Sequence, residues 1–285
     1  MNKFPERYGP WAFVGGSAEG LGEAFSAVLA RRGLNVVMAD RNSPVNQNLA
    51  HHLEKTYGIK TLILDLDLSS PDAAATILKT IESLDCRLLI YNAAYSVVKP
   101  FSNNSRDDLD RYLAVNCHTP IHLVHGFIRY LTVRNSGGGI LLMSSLAGLY
   151  GTQLLAPYGA TKAFNLILAE ALHYEMKKMG IDVMSCIAGA TATPAFLATR
   201  PEYGLLRPSV MRPSTVAEQA LDHLGRKALY IPGLSNRFTH FVFSRLLPRK
   251  VAAGLFNRTT WKMYGKHLYL FLYLFPIFYI LFSIF

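Results

Sequence analysis

No Asp or Glu follows Asp222 in this 285-residue chain, although nine Lys or Arg lie between Arg226 and Lys266. Residues 1–225 hold 20 basic and 19 acidic side chains, so almost all of the formal +10 belongs to the end of the chain. A nucleic-acid-binding domain needs its basic face on the folded body, and this distribution excludes that class. Cysteine is scarce: Cys86, Cys117 and Cys186 stand far apart, in no metal or redox spacing, which excludes a disulfide framework and suits a reducing compartment. Charge is sparse as well, at 17% of residues against 51% hydrophobic, which excludes a disordered chain. The opening "MNKFPERYGPW" has no apolar core and no cleavage pattern, so no secretory signal is expected. Histidines at 51, 52, 118, 122, 125 and 173 form no ligand set with a carboxylate, and no metal site is expected.

What the chain has is alternation. Apolar runs at "WAFVGG", "NVVMAD", "KTLILD", "CRLLIYN", "GGILLMSS", "IDVMSCIAG" and "ALYIP" read as strands. Helix-length amphipathic stretches separate them, near 20–33, 47–58, 71–83, 105–134, 158–179 and 214–225. Strands this apolar need cover on both faces, which predicts an α/β fold with a doubly wound, mostly parallel sheet in a single domain over 8–232.

Two patterns carry chemistry. The first is "GGSAEGLG", with Gly16, Gly20 and Gly22 between a strand and a helix. Glycines there let the backbone approach a pyrophosphate at the positive end of the helix dipole. Asp40 closes the second strand, where an acid can hold both ribose hydroxyls of NAD; Arg41 follows it and would suit the 2′-phosphate of NADP. NAD is favoured and NADP stays open. The second pattern is "YGATK", which puts Tyr158 and Lys162 on one helix face.

In order along the chain, these motifs resemble the short-chain dehydrogenase/reductases over roughly residues 8–232. The glycine turn matches that family's pattern, with Gly15 in place of its usual threonine. The resemblance extends cofactor binding to Ser17, Leu21, Asp67, Leu68, Asn92, Ala93 and Ala94, and to Gly189, Thr191 and Thr193 in "IAGATAT", alongside Gly16, Gly20, Gly22, Asp40, Arg41, Tyr158 and Lys162. "YNAA" departs from the family's Asn-Asn-Ala-Gly at Tyr91 and Ala94, and Ala188 replaces a proline. It implies four catalytic residues, Asn116, Ser145, Tyr158 and Lys162, with Ser145 rather than Ser144 at the usual spacing from the tyrosine. It also implies a Rossmann-type fold and NAD(P)-dependent interconversion of an alcohol and a ketone. Tyr158 would pass the proton with its pKa lowered by Lys162, Ser145 would bind the same oxygen, and Asn116 would position a water beside the lysine.

Beyond the domain, 233–267 reads as a basic amphipathic extension and "LYLFLYLFPIFYILFSIF", 268–285, as an apolar helix. Eighteen uncharged residues rise about 27 Å as a helix, near the thickness of a bilayer core. The expected protein is membrane-associated through 268–285, with its catalytic domain in the cytosol and a hydrophobic small-molecule substrate. "PAFLATRPEYGLL" would lie over the substrate cleft. A homo-oligomer is compatible with the sequence, and a catalytically silent dinucleotide-binding or membrane-surface protein is the alternative.

Overall fold

The computed structural model describes residues 3–203 and 208–282, with side chains described for 4–203 and 208–265. Helix α1 (Lys3–Tyr8) leads into β1 (Trp11–Gly15), α2 (Leu21–Arg31), β2 (Asn35–Asp40), α3 (Ser43–Tyr57), β3 (Thr61–Asp65), α4 (Ala73–Glu82) and β4 (Cys86–Tyr91). There follow α5 (Arg106–Leu113), α6 (Thr119–Val133), β5 (Gly138–Ser145), α7 (Ala156–Met176), β6 (Ile181–Ala188), α8 (Pro194–Ala198), α9 (Pro213–His223) and β7 (Leu229–Tyr230). The chain ends in α10 (Leu234–Phe241) and α11 (Arg249–Phe282).

All seven strands are parallel, in the order β3-β2-β1-β4-β5-β6-β7. Alternate residues of each strand enter different cores, which is why the strands read as unbroken apolar runs. Val14, Met38, Ile90 and Leu141 meet Phe25 and Leu29 of α2 and Val216 and Leu221 of α9. Phe13, Val37, Leu89 and Ile140 meet Ile77 and Ile81 of α4 and Leu123, Phe127 and Leu131 of α6. The order reverses between β1 and β4, and a crevice at the carboxyl ends of strands that diverge this way is where such sheets bind ligands.

The stretch 105–134, predicted as one helix, is divided. A π-turn over Ala114–His118 separates α5 from α6, and its extra residue per turn re-aims Asn116 into the protein. Ser105 starts α5 with a capping box closed by Asp108. The last predicted strand, "ALYIP", shrinks to Leu229–Tyr230, since only two of its residues pair with β6. The apolar segment 268–285 lies outside the residues whose side chains are described; among the described residues no helix is long and apolar enough to cross a membrane.

Candidate active site

The sheet delivers the reactive side chains. At the end of β5 the backbone alternates, so the two serines part company. Ser144 is buried and donates to the Lys162 carbonyl at 2.7 Å, fastening α7 to the strand. Ser145 faces the cavity and is hydrogen-bonded to Tyr158, while its oxygen also accepts from Ala147 N at 3.2 Å. Lys162, one turn on from Tyr158, is 3% exposed; its Nζ donates to the Met143 carbonyl at 2.8 Å and lies 5.7 Å from the centre of the Tyr158 ring.

The electrostatics correct one expectation. Burial raises the Tyr158 pKa above the ordinary tyrosine value, and the bond from Ser145 opposes this only in part. In the protein without its cofactor, burial outweighs any help from Lys162. Burial instead depresses Lys162 from its ordinary 10.5 to about 8, because a desolvated ammonium is the costly form. In the protein alone, therefore, the pair is a neutral phenol above a readily titrated amine.

Asn116, expected to position a water beside the lysine, is a hydrogen-bonding hub between segments. Its side chain is fully buried: Oδ1 accepts from Tyr95 N at 2.7 Å, and Nδ2 donates to the Tyr95 carbonyl at 3.0 Å and to Thr161 Oγ1 at 2.9 Å. Its carbonyl accepts from Asn165 Nδ2 at 2.9 Å. Asn116 is not among the residues that border the cavity; it ties the segment after β4 to α7.

The crevice between β1 and β4 fits a dinucleotide. Gly16 and Gly20 have φ of +74° and +62°, and a Cβ at Gly16 would fall 2.7 Å from Ala93 Cα, so only glycine lets the turn pass the end of β4. Gly22 is a packing residue: its Cβ would meet the Gly16 carbonyl oxygen at 1.7 Å. Ser17 is buried and donates to Asn46 Oδ1 at 2.8 Å, which turns its side chain away from the cavity. Gly16, Gly20, Leu21, Asp40, Arg41, Asp67, Leu68, Asn92, Ala93 and Ala94 all border the cavity. The Asp40 carboxylate already accepts from Ala18 N at 3.1 Å and Asn42 N at 2.9 Å, so it braces the turn as well as facing the crevice. Burial would raise the Asp67 carboxyl, but bonds from Ser69 N and Oγ, with Arg41 and Arg111 nearby, hold it below the ordinary range. Asn92 donates to the Gly16 carbonyl at 2.9 Å. Gly189, Thr191 and Thr193 border the same cavity beyond β6, and Thr193 presses on the glycine turn, 2.9 Å from where a Gly20 Cβ would stand.

Sequence reading assigned the opposite wall to 194–206, of which residues 204–206 lie outside the described residues; the structure adds α10 and α11. Val242, Phe243, Leu247, Leu255, Phe256, Met263 and Tyr264 join Phe196 and Ala198 around a cavity of about 1450 Å³. Three fastenings hold this roof. Tyr150 packs its ring against Phe243 and Phe256. Asn257 Nδ2 donates to the Gly151 carbonyl and its Oδ1 accepts from Gln153 N, both at 2.7 Å. Glu202 N donates to the Met263 carbonyl at 3.0 Å. The signal for this seat lay in Gly189, whose missing Cβ would stand 2.6 Å from Asn236 Nδ2 of α10.

Comparison with known proteins decides the family. The family model described as "short chain dehydrogenase" matches residues 10–204. The chain belongs to the short-chain dehydrogenases. It is 30% identical over 234 residues to the 7beta-hydroxysteroid dehydrogenase of Clostridium sardiniense, covering 82% of this chain and 89% of that one. It is 29% identical over 264 residues to the very-long-chain 3-oxoacyl-CoA reductase of Anas platyrhynchos, covering 91% and 83%. Among solved structures, one described for 7beta-hydroxysteroid dehydrogenase stereoselectivity superposes with a TM-score of 0.82 at 27% identity, covering 89% of this chain and 98% of that one. This short-chain dehydrogenase is accordingly an oxidoreductase of CH–OH groups.

Proposed function

We propose that this enzyme interconverts a secondary alcohol and a ketone on a hydrophobic, lipid-like molecule, with a nicotinamide dinucleotide held along the crevice from Gly16 to Ala94 and NAD(H) preferred. The observation that carries this is the continuity of one cavity from the glycine turn, past Ser145 and Tyr158, to an apolar roof. When bound, the dinucleotide supplies or accepts the hydride. The chain manages the oxygen and the proton. Ser145 releases its bond to Tyr158 in favour of the substrate oxygen and stabilises the charge developing there. Tyr158, protonated because it is buried, donates its proton to that oxygen in reduction and takes it back in oxidation. Lys162, charged below a pH of about 8, steadies the phenolate that remains. Asn116 positions α7 through Thr161.

The named activities of the relatives, on a steroid and on a very-long-chain acyl-CoA, support a large apolar substrate. The roof supports it too: Phe243, Leu247, Leu255 and Phe256 offer no charge to a polar substrate. Residues 268–285 attach the enzyme to a membrane with its catalytic domain on the cytosolic side, a reading supported by their uncharged composition and the basic residues before them. The test is turnover of detergent-solubilised enzyme on a panel of bulky and small ketones and alcohols with NADH and NADPH. Turnover of bulky ketones is expected; binding of dinucleotide without turnover of any panel member would establish the silent alternative.

A further inference from the structure

The lip of the cavity carries a feature that alcohol–ketone chemistry does not use. Leu234, Phe238 and Phe241 follow one another at i, i+4 and i+7 on α10, and they are 79%, 69% and 54% exposed. Positions one residue further on, Ser235, Thr239 and Val242, lie about 100° around the helix axis and border the cavity. Asn236 is buried against Gly189. A single helix thus walls the substrate site on one side and presents an uncovered apolar ridge on another. Further along the chain Leu246, 63% exposed, and Val251, 47% exposed, are also uncovered, with exposed Arg245, Arg249 and Lys250 beside them in sequence.

We infer that this ridge is an interfacial docking surface for an anionic lipid bilayer, with Leu234, Phe238, Phe241 and Leu246 entering the headgroup region and setting the cavity mouth against the membrane. Two observations select lipid as the occupant. The chain carries no acidic residue beyond Asp222, so every charged side chain that the segment bearing the ridge itself supplies is complementary to an anionic surface. The same chain then continues into the eighteen uncharged residues 268–285, a second apolar element suited to the same lipid phase. A helix with aromatic and leucine residues on one face and basic neighbours is the form that lies in a membrane interface rather than across it. The inference concerns orientation, and it stands apart from which ketone the enzyme reduces.

The test reads the position of α10 directly, because residues 268–285 alone could bring the enzyme to vesicles. Full-length protein carrying Phe238→Cys is labelled with a polarity-sensitive fluorophore. Val133→Cys serves as the control, since Val133 ends α6 at the opposite, amino-terminal edge of the strands and is 86% exposed. Vesicles of phosphatidylcholine with and without phosphatidylserine are then added. The Phe238 probe is expected to shift to the blue and become shielded from acrylamide, most strongly with phosphatidylserine, while the Val133 probe stays unchanged; Leu234→Cys repeats the result one turn away. A Phe238 probe that stays aqueous on enzyme that floats with vesicles overturns the inference, as does enzyme that does not float. A blue shift in buffer that grows with protein concentration also overturns it, assigning the ridge to a second copy of the chain. Turnover of a water-soluble ketone, measured on the same samples, reports separately on the proposed reaction.

Discussion

The two walls of the cavity are made of different materials. On the crevice side Gly16 and Gly20 present main chain to the cavity, and Asp40, Asn92 and Ala93 fix the turn against the ends of β2 and β4. On the roof the surface is side chain, with Phe243, Leu255, Phe256 and Met263 presented by helices that lie outside the sheet. Backbone surfaces tolerate almost no change of residue, whereas an apolar roof keeps its character under many substitutions. The crevice is accordingly the part of the site that a sequence pattern can specify, and the roof is where relatives acting on a steroid and on an acyl-CoA can differ.

Breaking the catalytic seam between the walls has the largest expected effect. Tyr158→Phe keeps the ring and removes the hydroxyl that Ser145 holds. Turnover should fall about 10³-fold, the scale of a lost general acid, while dinucleotide titration changes little. Near-native kcat in this variant would rule out the proposed proton path.

The next effect concerns what the seam costs. Lowering Lys162 from 10.5 to about 8 corresponds to about 3 kcal/mol of unfavourable burial at neutral pH. The sign follows from linkage. The unfolded lysine holds its proton up to 10.5 and the folded one only up to about 8, so the native state is penalised fully below about 8 and not at all above 10.5. Lys162→Met should therefore be inactive yet more stable than the native enzyme at a pH of about 7, by up to about 3 kcal/mol less the bond lost to the Met143 carbonyl. That margin should shrink as the pH rises towards 10.5. Denaturant midpoints at neutral and alkaline pH measure it; a variant less stable at every pH would show that the lysine is structural.

The roof responds more mildly. Phe256→Ala removes an apolar surface from the cavity and one ring from the Tyr150 cluster. For a bulky ketone KM should rise about tenfold, roughly 1.4 kcal/mol of lost contact, with kcat nearly kept. For a small soluble ketone both constants should stay close to native. Equal losses on both substrates would mean that the roof supports the fold rather than the substrate.

How much could be read in advance follows the same division. The seven parallel strands and the crevice were legible because a glycine turn after an apolar strand admits few alternatives, and Ser145, Tyr158 and Lys162 because they stand at fixed spacings on β5 and α7. Asn116 was legible as a position but not in its contacts, since nothing in "LAVN" announces a π-turn. Ser17 looked like a cofactor residue by its place in the turn, yet its partner Asn46 lies 29 residues away. The roof was missed for a similar reason. The basic residues of 233–267 suggest an extension apart from the site, while the seat of α10 on Gly189 and of Asn257 on Gly151 depends on contacts between distant parts of the chain.

The finest distinction lies within the crevice itself, at Asp40. Its carboxylate opposes a 2′-phosphate by charge, while exposed Arg41 beside it attracts one, so cofactor preference rests on the difference between neighbours. At a solvated edge such a difference is worth roughly 1 kcal/mol, or about fivefold in relative kcat/KM. Asp40→Ala should move preference towards NADPH by about that factor. It also frees Ala18 N and Asn42 N, however, so the turn loosens and both cofactors lose affinity. Asp40→Asn separates the two effects, because its amide oxygen can still accept a backbone N–H while the charge is gone. The ratio of NADPH to NADH efficiency should rise equally in both variants, and the common loss should be smaller in Asp40→Asn. A native enzyme that already favours NADPH would mean that Arg41 dominates, and a ratio unmoved in both variants would leave Asp40 as a brace of the glycine turn and nothing more.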